Sequence, residues 1–146
     1  PVDVRALMDS VLALTSKRLR DAQIVLETEW DADIPKINGV GNQLKQVFLN
    51  LILNAAEAMP QGGQLRIHGR KVNENGKWLA ISFTDSGCGI PAEELDKIFE
   101  PFYTTKPDGT GLGLSVCHNI VTNHGGRLTV ESAREKGSSF TIWLPL

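Results

Sequence analysis

Three short segments of this 146-residue chain carry residue types that could do chemistry together. The first is Asn50-Leu51-Ile52-Leu53-Asn54-Ala55-Ala56-Glu57-Ala58. Residues at i and i+4 share a helix face, so Asn50, Asn54 and, one turn on, Glu57 project together beside the apolar stripe. An Asn amide in such a place is costly to bury unless it is hydrogen-bonded. Its carbonyl oxygen is a hard donor suited to Mg²⁺, which prefers oxygen ligands and keeps several waters. Read alone, the segment fits equally well as helix-surface amides or hydrogen bonds within a core.

The second segment, Asp85-Ser86-Gly87-Cys88-Gly89-Ile90, follows a strand-like run. A carboxylate at a strand end can accept from an exocyclic amine such as adenine N6, and a bond to a charged group contributes about 1.5–3 kcal/mol. The two glycines let the backbone turn sharply and approach a flat ligand with no Cβ in the way. Asp-Ser-Gly is equally a common turn sequence. The third segment, Gly109-Thr110-Gly111-Leu112-Gly113-Leu114, leads into a helical pattern. Glycines before a helix N-terminus expose N–H groups to an anion, which suits a polyphosphate. No Gly-Lys-Ser/Thr follows, so it is not a Walker A loop, and no strand directly precedes it as a dinucleotide fingerprint requires. Alone it could be a flexible glycine loop. Between these segments lies Phe99-Glu100-Pro101-Phe102-Tyr103-Thr104-Thr105-Lys106. Its aromatics could anchor a mobile loop with Lys106 near the tip, although most lysines are simply solvated.

The elements that must hold these segments follow from pattern. Asp3 can cap a helix whose apolar positions include Val4, Leu7, Met8, Val11 and Leu14 and which frays near Asp21. Residues 24–28 read as a strand, and Pro35 forbids a helix there. Residues 41–59 form the strongest helical segment, with Leu44, Val47, Phe48, Leu51 and Ala55 on one stripe and Pro60-Gln61-Gly62-Gly63 as its stop. Residues 65–72 and 78–84 read as strands joined by Asn73-Glu74-Asn75-Gly76, which has hairpin chemistry. A helix over 111–123 ends at Gly125-Gly126. Residues 127–132 and 140–144 close the chain as a strand pair. This order predicts a two-layer α/β sandwich, with helices packed on one face of a mixed, mostly antiparallel sheet.

Composition sets the outer limits. The length suits one domain with a core of its own. Hydrophobic residues make up 41% and charged residues 22%, and the net charge is -2. No basic surplus points to nucleic acid. Cys88 and Cys117 lack zinc spacing and form no disulfide framework. The most apolar stretch, residues 47–56, is too short to span a bilayer. The abrupt start at Pro1, directly before a helical pattern, is expected of a segment of a longer protein.

In combination and order, the segments resemble four boxes of one family. Residues 50–58 look like the N box, 85–90 the first glycine box, 99–102 the F box and 109–114 the second glycine box. Together they resemble the catalytic, ATP-binding domain of bacterial two-component sensor histidine kinases, in the superfamily shared with gyrase, heat-shock chaperone and mismatch-repair ATPases. The resemblance spans essentially the whole chain. The stretch from Phe99 to Lys106, with a short lid, is most similar to the nitrogen-regulation subgroup.

The resemblance implies a Bergerat-type ATP-binding fold over residues 1–146, with the dimerisation and phosphoacceptor domain outside the chain. It implies that Asp85 binds the adenine amine, that Gly87, Gly89 and Ile90 shape its pocket, and that Asn54 coordinates Mg²⁺ with Asn50 nearby. Gly111 and Gly113, at the lid's end, would meet the phosphates, Gly109, Thr110, Leu112 and Leu114 would complete the nucleotide-binding segment, and residues 101–110 would form the lid. Many family members carry a basic residue and then Tyr or His after the magnesium-binding Asn. Here those places hold Glu57 and Ala58, and Lys106 is the candidate to take over the phosphate contact. Ser138 and Ser139 stand where Thr is frequent. Superfamily ATPases place Glu at position 50 to activate water. Asn50 is an amide and cannot act as a general base.

The expected activity is therefore transfer of the ATP γ-phosphate to a histidine of the dimerisation domain, for relay to a response-regulator aspartate. His68, His118 and His124 lie in no acceptor context. The chain is expected to be a monomeric cytoplasmic domain of a homodimeric protein. Three other activities share these boxes: a hydrolysing clamp of the gyrase type, a serine kinase of the anti-sigma type, and a binding module without catalysis.

Overall fold

Asp3 starts the first helix, its Oδ1 accepting the Ala6 N–H at 3.1 Å. That satisfies one of the four N–H groups a helix start leaves without an internal partner. The computed structural model describes residues 1–90, 92–95, 97–98, 113–132 and 136–146. Helix α1 runs Val4–Asp21 and buries Val4, Met8, Val11, Thr15 and Leu19. Leu14 departs from the expected stripe, being 78% exposed. Each residue advances about 100° around a helix, so the face that continues from Val11 through Thr15 turns Leu14 aside. The Thr15 hydroxyl makes this tolerable by donating to the Val11 carbonyl at 3.0 Å.

Strand β1, Ile24–Trp30, leads through a long crossover to strand β2, Gly63–Asn73. The crossover contains helix α2, Gly41–Glu57, which buries Leu44, Val47, Phe48, Leu51, Ile52, Ala55 and Ala56. A crossover of this length lets β1 and β2 pair in parallel, as they do from Ile24 opposite Gly63 to Trp30 opposite Gly69. The hairpin from β2 to strand β3, Lys77–Asp85, turns on Asn75 and Gly76, with φ of 49° and 121°. Both lie in the left-handed region such turns require. Helix α3, Gly113–Asn123, precedes strands β4, Arg127–Ser132, and β5, Ser138–Pro145. The sheet order is β1-β2-β3-β5-β4, antiparallel from β2 onward.

The core lies between the helices and one sheet face. Leu65, Ile67, Leu79, Ile81, Phe83, Phe140, Ile142 and Leu144 come from alternate strand positions and are all buried. Phe48 of α2 meets Phe83 of β3 with ring centroids 6.2 Å apart. This is the two-layer sandwich expected from the sequence. The other sheet face is open, and a stack partly covers it. The Arg70 guanidinium lies 5.8 Å from the Trp143 ring, and that of Arg127 lies 4.8 Å from Trp143 and 6.0 Å from Trp78. Ala80 pairs with both Arg70 and Trp143 and is fully buried although it faces outward. The stack roofs it, and cation–π contact contributes about 0.5–1 kcal/mol per exposed pair.

Helix α2 has no side-chain cap of its own. Instead the Val40 N–H donates to His124 Nε2 at 3.0 Å. His124 Nδ1 lies 2.8 Å from the Ile120 carbonyl, so Nδ1 carries the proton and Nε2 accepts. This histidine ties the start of α2 to the end of α3. His124→Ala is expected to lower stability by about 0.5–1.5 kcal/mol. A urea melt should show this as a lower midpoint with an unchanged slope. Ligand binding at the far end of α2 should be unaffected.

Candidate nucleotide-binding site

Strand β3 ends at Asp85, which is only 6% exposed. The side chain folds back on its own loop, and Oδ1 accepts the Gly87 N–H at 2.9 Å. Such a bond two residues along is the usual reason an Asp begins a turn. The same Oδ1 accepts the Ser138 N–H at 3.3 Å, from the strand paired opposite. Among the described residues, no hydrogen bond reaches Oδ2. Burial, the largest effect, pushes the Asp85 carboxyl above its ordinary range, while the bonds from Gly87 and Ser138 work in the opposite direction. The result is a buried carboxylate with one oxygen anchored and, among the described residues, no donor on the other.

The following loop closes against the end of α2. A Cβ on Gly87 would overlap the carbonyl of Ala58, and the Cys88 N–H donates to that carbonyl at 3.2 Å. Glycine is thus required at position 87 by the neighbouring helix end, where the sequence suggested room for a ligand. The small Ala58 has the same cause. Gly89 has a φ of 73°, the left-handed turn that its residue type permits. The Ile90 N–H donates to Ser132 Oγ at 2.7 Å, which fastens the loop to the last residue of β4.

Helices α2 and α3 run antiparallel, because Val40 meets His124 and Val47 meets Cys117. The start of α3 at Gly113 therefore lies toward the end of α2, where Asn54 sits. The Cys117 thiol donates to the Val47 carbonyl at 3.9 Å, with the Asn50 side chain beside it. Burial pushes that thiol up to about 11, and the neighbouring Asn50 side chain opposes the shift. Cys117 packs in the core and Cys88 is exposed at the loop. The strand end with Asp85, the later half of α2 and the first turn of α3 thus converge on one side of the fold.

Residues 39–146 match the model of the histidine kinase-, DNA gyrase B-, and HSP90-like ATPase family. The catalytic domain of histidine kinase ThkA superposes with a TM-score of 0.87 at 34% identity, covering 99% of this chain and 93% of that one. The chain belongs to this ATPase family as a histidine kinase catalytic domain. Sensor histidine kinase ZraS of Escherichia coli K12 is 45% identical over 145 residues, 99% of this chain and 30% of ZraS. The chain thus spans less than a third of the length of such curated relatives. Full-length ShkA, solved in complex with AMPPNP, has a TM-score of 0.87 at 28% identity, covering 99% of this chain and 30% of that one. ThkA in complex with the response regulator TrrA has a TM-score of 0.82 at 32% identity, covering 99% and 40%.

The geometry brings together much of what the sequence singled out. Asn50 and Asn54 lie half-buried on α2, with Glu57 exposed beyond them. Asp85, Gly87, Gly89 and Ile90 form one hydrogen-bonded loop beside the same helix. Gly113 and Leu114 open α3. Lys106, Gly109, Thr110, Gly111 and Leu112, the F box and the lid at 101–110 lie outside the described residues. Ser138 backs Asp85, whereas the Ser139 hydroxyl pairs with Thr84 at 3.0 Å on the open face. Sequence reasoning missed Ser132 and the Asn50–Cys117 contact. The only available signal for Ser132 was a hydroxyl at a strand end, because its partners come from distant segments. Among the described residues, no helix is long and apolar enough to cross a membrane.

Proposed function

We propose that this chain binds Mg-ATP and donates the γ-phosphate to a histidine on a dimerisation domain outside the sequence, for relay to a response-regulator aspartate. The observation that carries the nucleotide site is Asp85, with Oδ1 held by two backbone N–H groups and Oδ2 without a described donor. Such an acceptor, buried beside a glycine loop, suits the adenine amine. Gly87, Gly89 and Ile90 shape the base pocket. Gly109, Thr110, Gly111, Leu112, Gly113 and Leu114 present backbone groups to the phosphates, with Lys106 as a point charge. Binding of AMPPNP by the ShkA structure supports this assignment.

Among the described residues, no group of three His, Cys, Asp or Glu side chains could hold a metal ion. That fits a magnesium ion that arrives with the nucleotide, held by the Asn54 amide oxygen together with phosphates and waters. When bound, it would neutralise charge on the triphosphate. Asn50 orients groups but cannot remove a proton from water, which favours transfer over hydrolysis. The ThkA–TrrA complex supports a response regulator as partner. The fragment itself is monomeric in this reading, with dimerisation supplied by helices outside it.

The test supplies an acceptor-histidine domain in trans with γ-labelled ATP and Mg²⁺. Label on that domain, lost in acid and kept in alkali, is the expected result. Its absence would remove the proposal. Acid-stable label would indicate a serine kinase, and rapid ATP turnover by the chain alone would indicate a hydrolysing clamp.

A further inference from the structure

The Ser132 hydroxyl occupies a junction that the phosphotransfer reading does not use. It accepts the Ile90 N–H at 2.7 Å and lies 2.9 Å from the Gly137 carbonyl and 3.0 Å from Ser138 Oγ. A hydroxyl has one proton and two lone pairs. One assignment uses all three: Ser132 donates to the Gly137 carbonyl and accepts from Ile90 N–H and Ser138 O–H. The segment it holds is the one that holds Asp85. Ser138 is its cross-strand partner and donates its N–H to Asp85 Oδ1. Gly137 is packed so tightly on the Asp85 carbonyl that a Cβ would collide with it. One side chain therefore ties three strand ends and the first glycine loop together.

We infer that Ser132 is a positioning residue for nucleotide binding, setting the place of Ile90 relative to Asp85 without touching the ligand itself. The inference rests on the nucleotide reading of this site. Without the hydroxyl, the Ile90 N–H loses this acceptor, and the described bonds that still hold the loop lie at its start, through Ser86, Gly87 and Cys88. The adenine pocket then loosens while the chemistry of phosphoryl transfer is left alone.

Dissociation constants for a non-hydrolysable ATP analogue should be measured by calorimetry on the parent, Ser132→Ala, Ser132→Thr and Ser82→Ala. Ser82 shares a comparable bond with Thr141 at 3.1 Å on the open sheet face, so it reports the cost of losing a sheet hydroxyl on the face opposite the core. The expected result is roughly threefold to tenfold weaker binding for Ser132→Ala. Ser132→Thr should recover most of this, and Ser82→Ala should match the parent. With acceptor in trans, KM for ATP should rise in Ser132→Ala and kcat should hold. Parent-like affinity in Ser132→Ala, or equal weakening in Ser82→Ala, overturns the inference. A parent that binds no nucleotide instead overturns the site reading on which it rests.

Discussion

Asp85→Asn is expected to weaken nucleotide binding about 10- to 150-fold while leaving the free protein at least as stable as the parent. The amide keeps an oxygen for the Gly87 and Ser138 N–H groups, so the local turn survives. What disappears is the charge on the acceptor, and a hydrogen bond to a charged group is worth about 1.5–3 kcal/mol. In the free protein that same charge is a cost, because burial raises the Asp85 carboxyl above its ordinary value of 3.8. A carboxyl with a raised value in the fold contributes its stability in full below the ordinary value, and loses it as pH rises through the raised one. Above that raised value the parent has lost the contribution, and asparagine removes the difference. Nucleotide binding prefers the ionised form, so parent affinity should fall as pH drops through the raised value. Affinity of Asp85→Asn should stay flat across the same range. A thermal shift measures both effects. Ligand at a hundredfold excess over Kd should add roughly 2.7 kcal/mol to the parent, on the order of 5–10 °C for a domain of this size. An equal shift in the variant would rule out Asp85 as the adenine acceptor.

Gly87→Val should damage stability and binding together. Even the first added carbon would overlap the Ala58 carbonyl, whose oxygen already accepts the Cys88 N–H at 3.2 Å. That oxygen belongs to a helix end and has no flexible tip to swing away. The loop must therefore retreat from α2, which breaks the Cys88 bond and pulls the Gly87 N–H from Asp85. Overpacking of this kind costs about 1–3 kcal/mol, and each lost bond adds roughly 0.5–1.5 kcal/mol. The expected result is a melting temperature lower by several degrees and a nucleotide shift largely abolished. Gly113→Ala is the informative contrast. Among the described residues, a Cβ there meets nothing within 4 Å, and Gly113 lies in helix α3. It should be neutral or stabilising by up to about 1 kcal/mol. If Gly87→Val melts like Gly113→Ala, the closure of the loop on α2 is not what holds the site.

Much of this protein could be read along the chain because the governing forces are local. Apolar residues three and four apart mark α2, since only a helix brings Leu44, Val47, Phe48, Leu51 and Ala55 onto one side. Asp3 and the Asn75-Gly76 turn were legible because caps and left-handed turns accept few residue types. The nucleotide boxes were legible as a set, although each alone had an ordinary explanation. Leu14 shows the limit within a single helix, because periodicity marks a stripe without saying which of its edges the core covers.

What tertiary structure decided is everything that depends on partners distant in sequence. Nothing local says that β5 inserts between β3 and β4, and that order alone sets Ser138 beside Asp85. The parallel pairing of β1 with β2 likewise depends on the α2 crossover that joins them. Gly87 reads along the chain as space for a ligand and proves to be space for the end of a helix. Asn50 meets Cys117, and Ser132 meets Ile90, only once two segments far apart are brought together. Local sequence sets backbone preference and which faces are apolar; cross-strand register and helix docking, which it does not encode, choose the atom that each polar side chain meets.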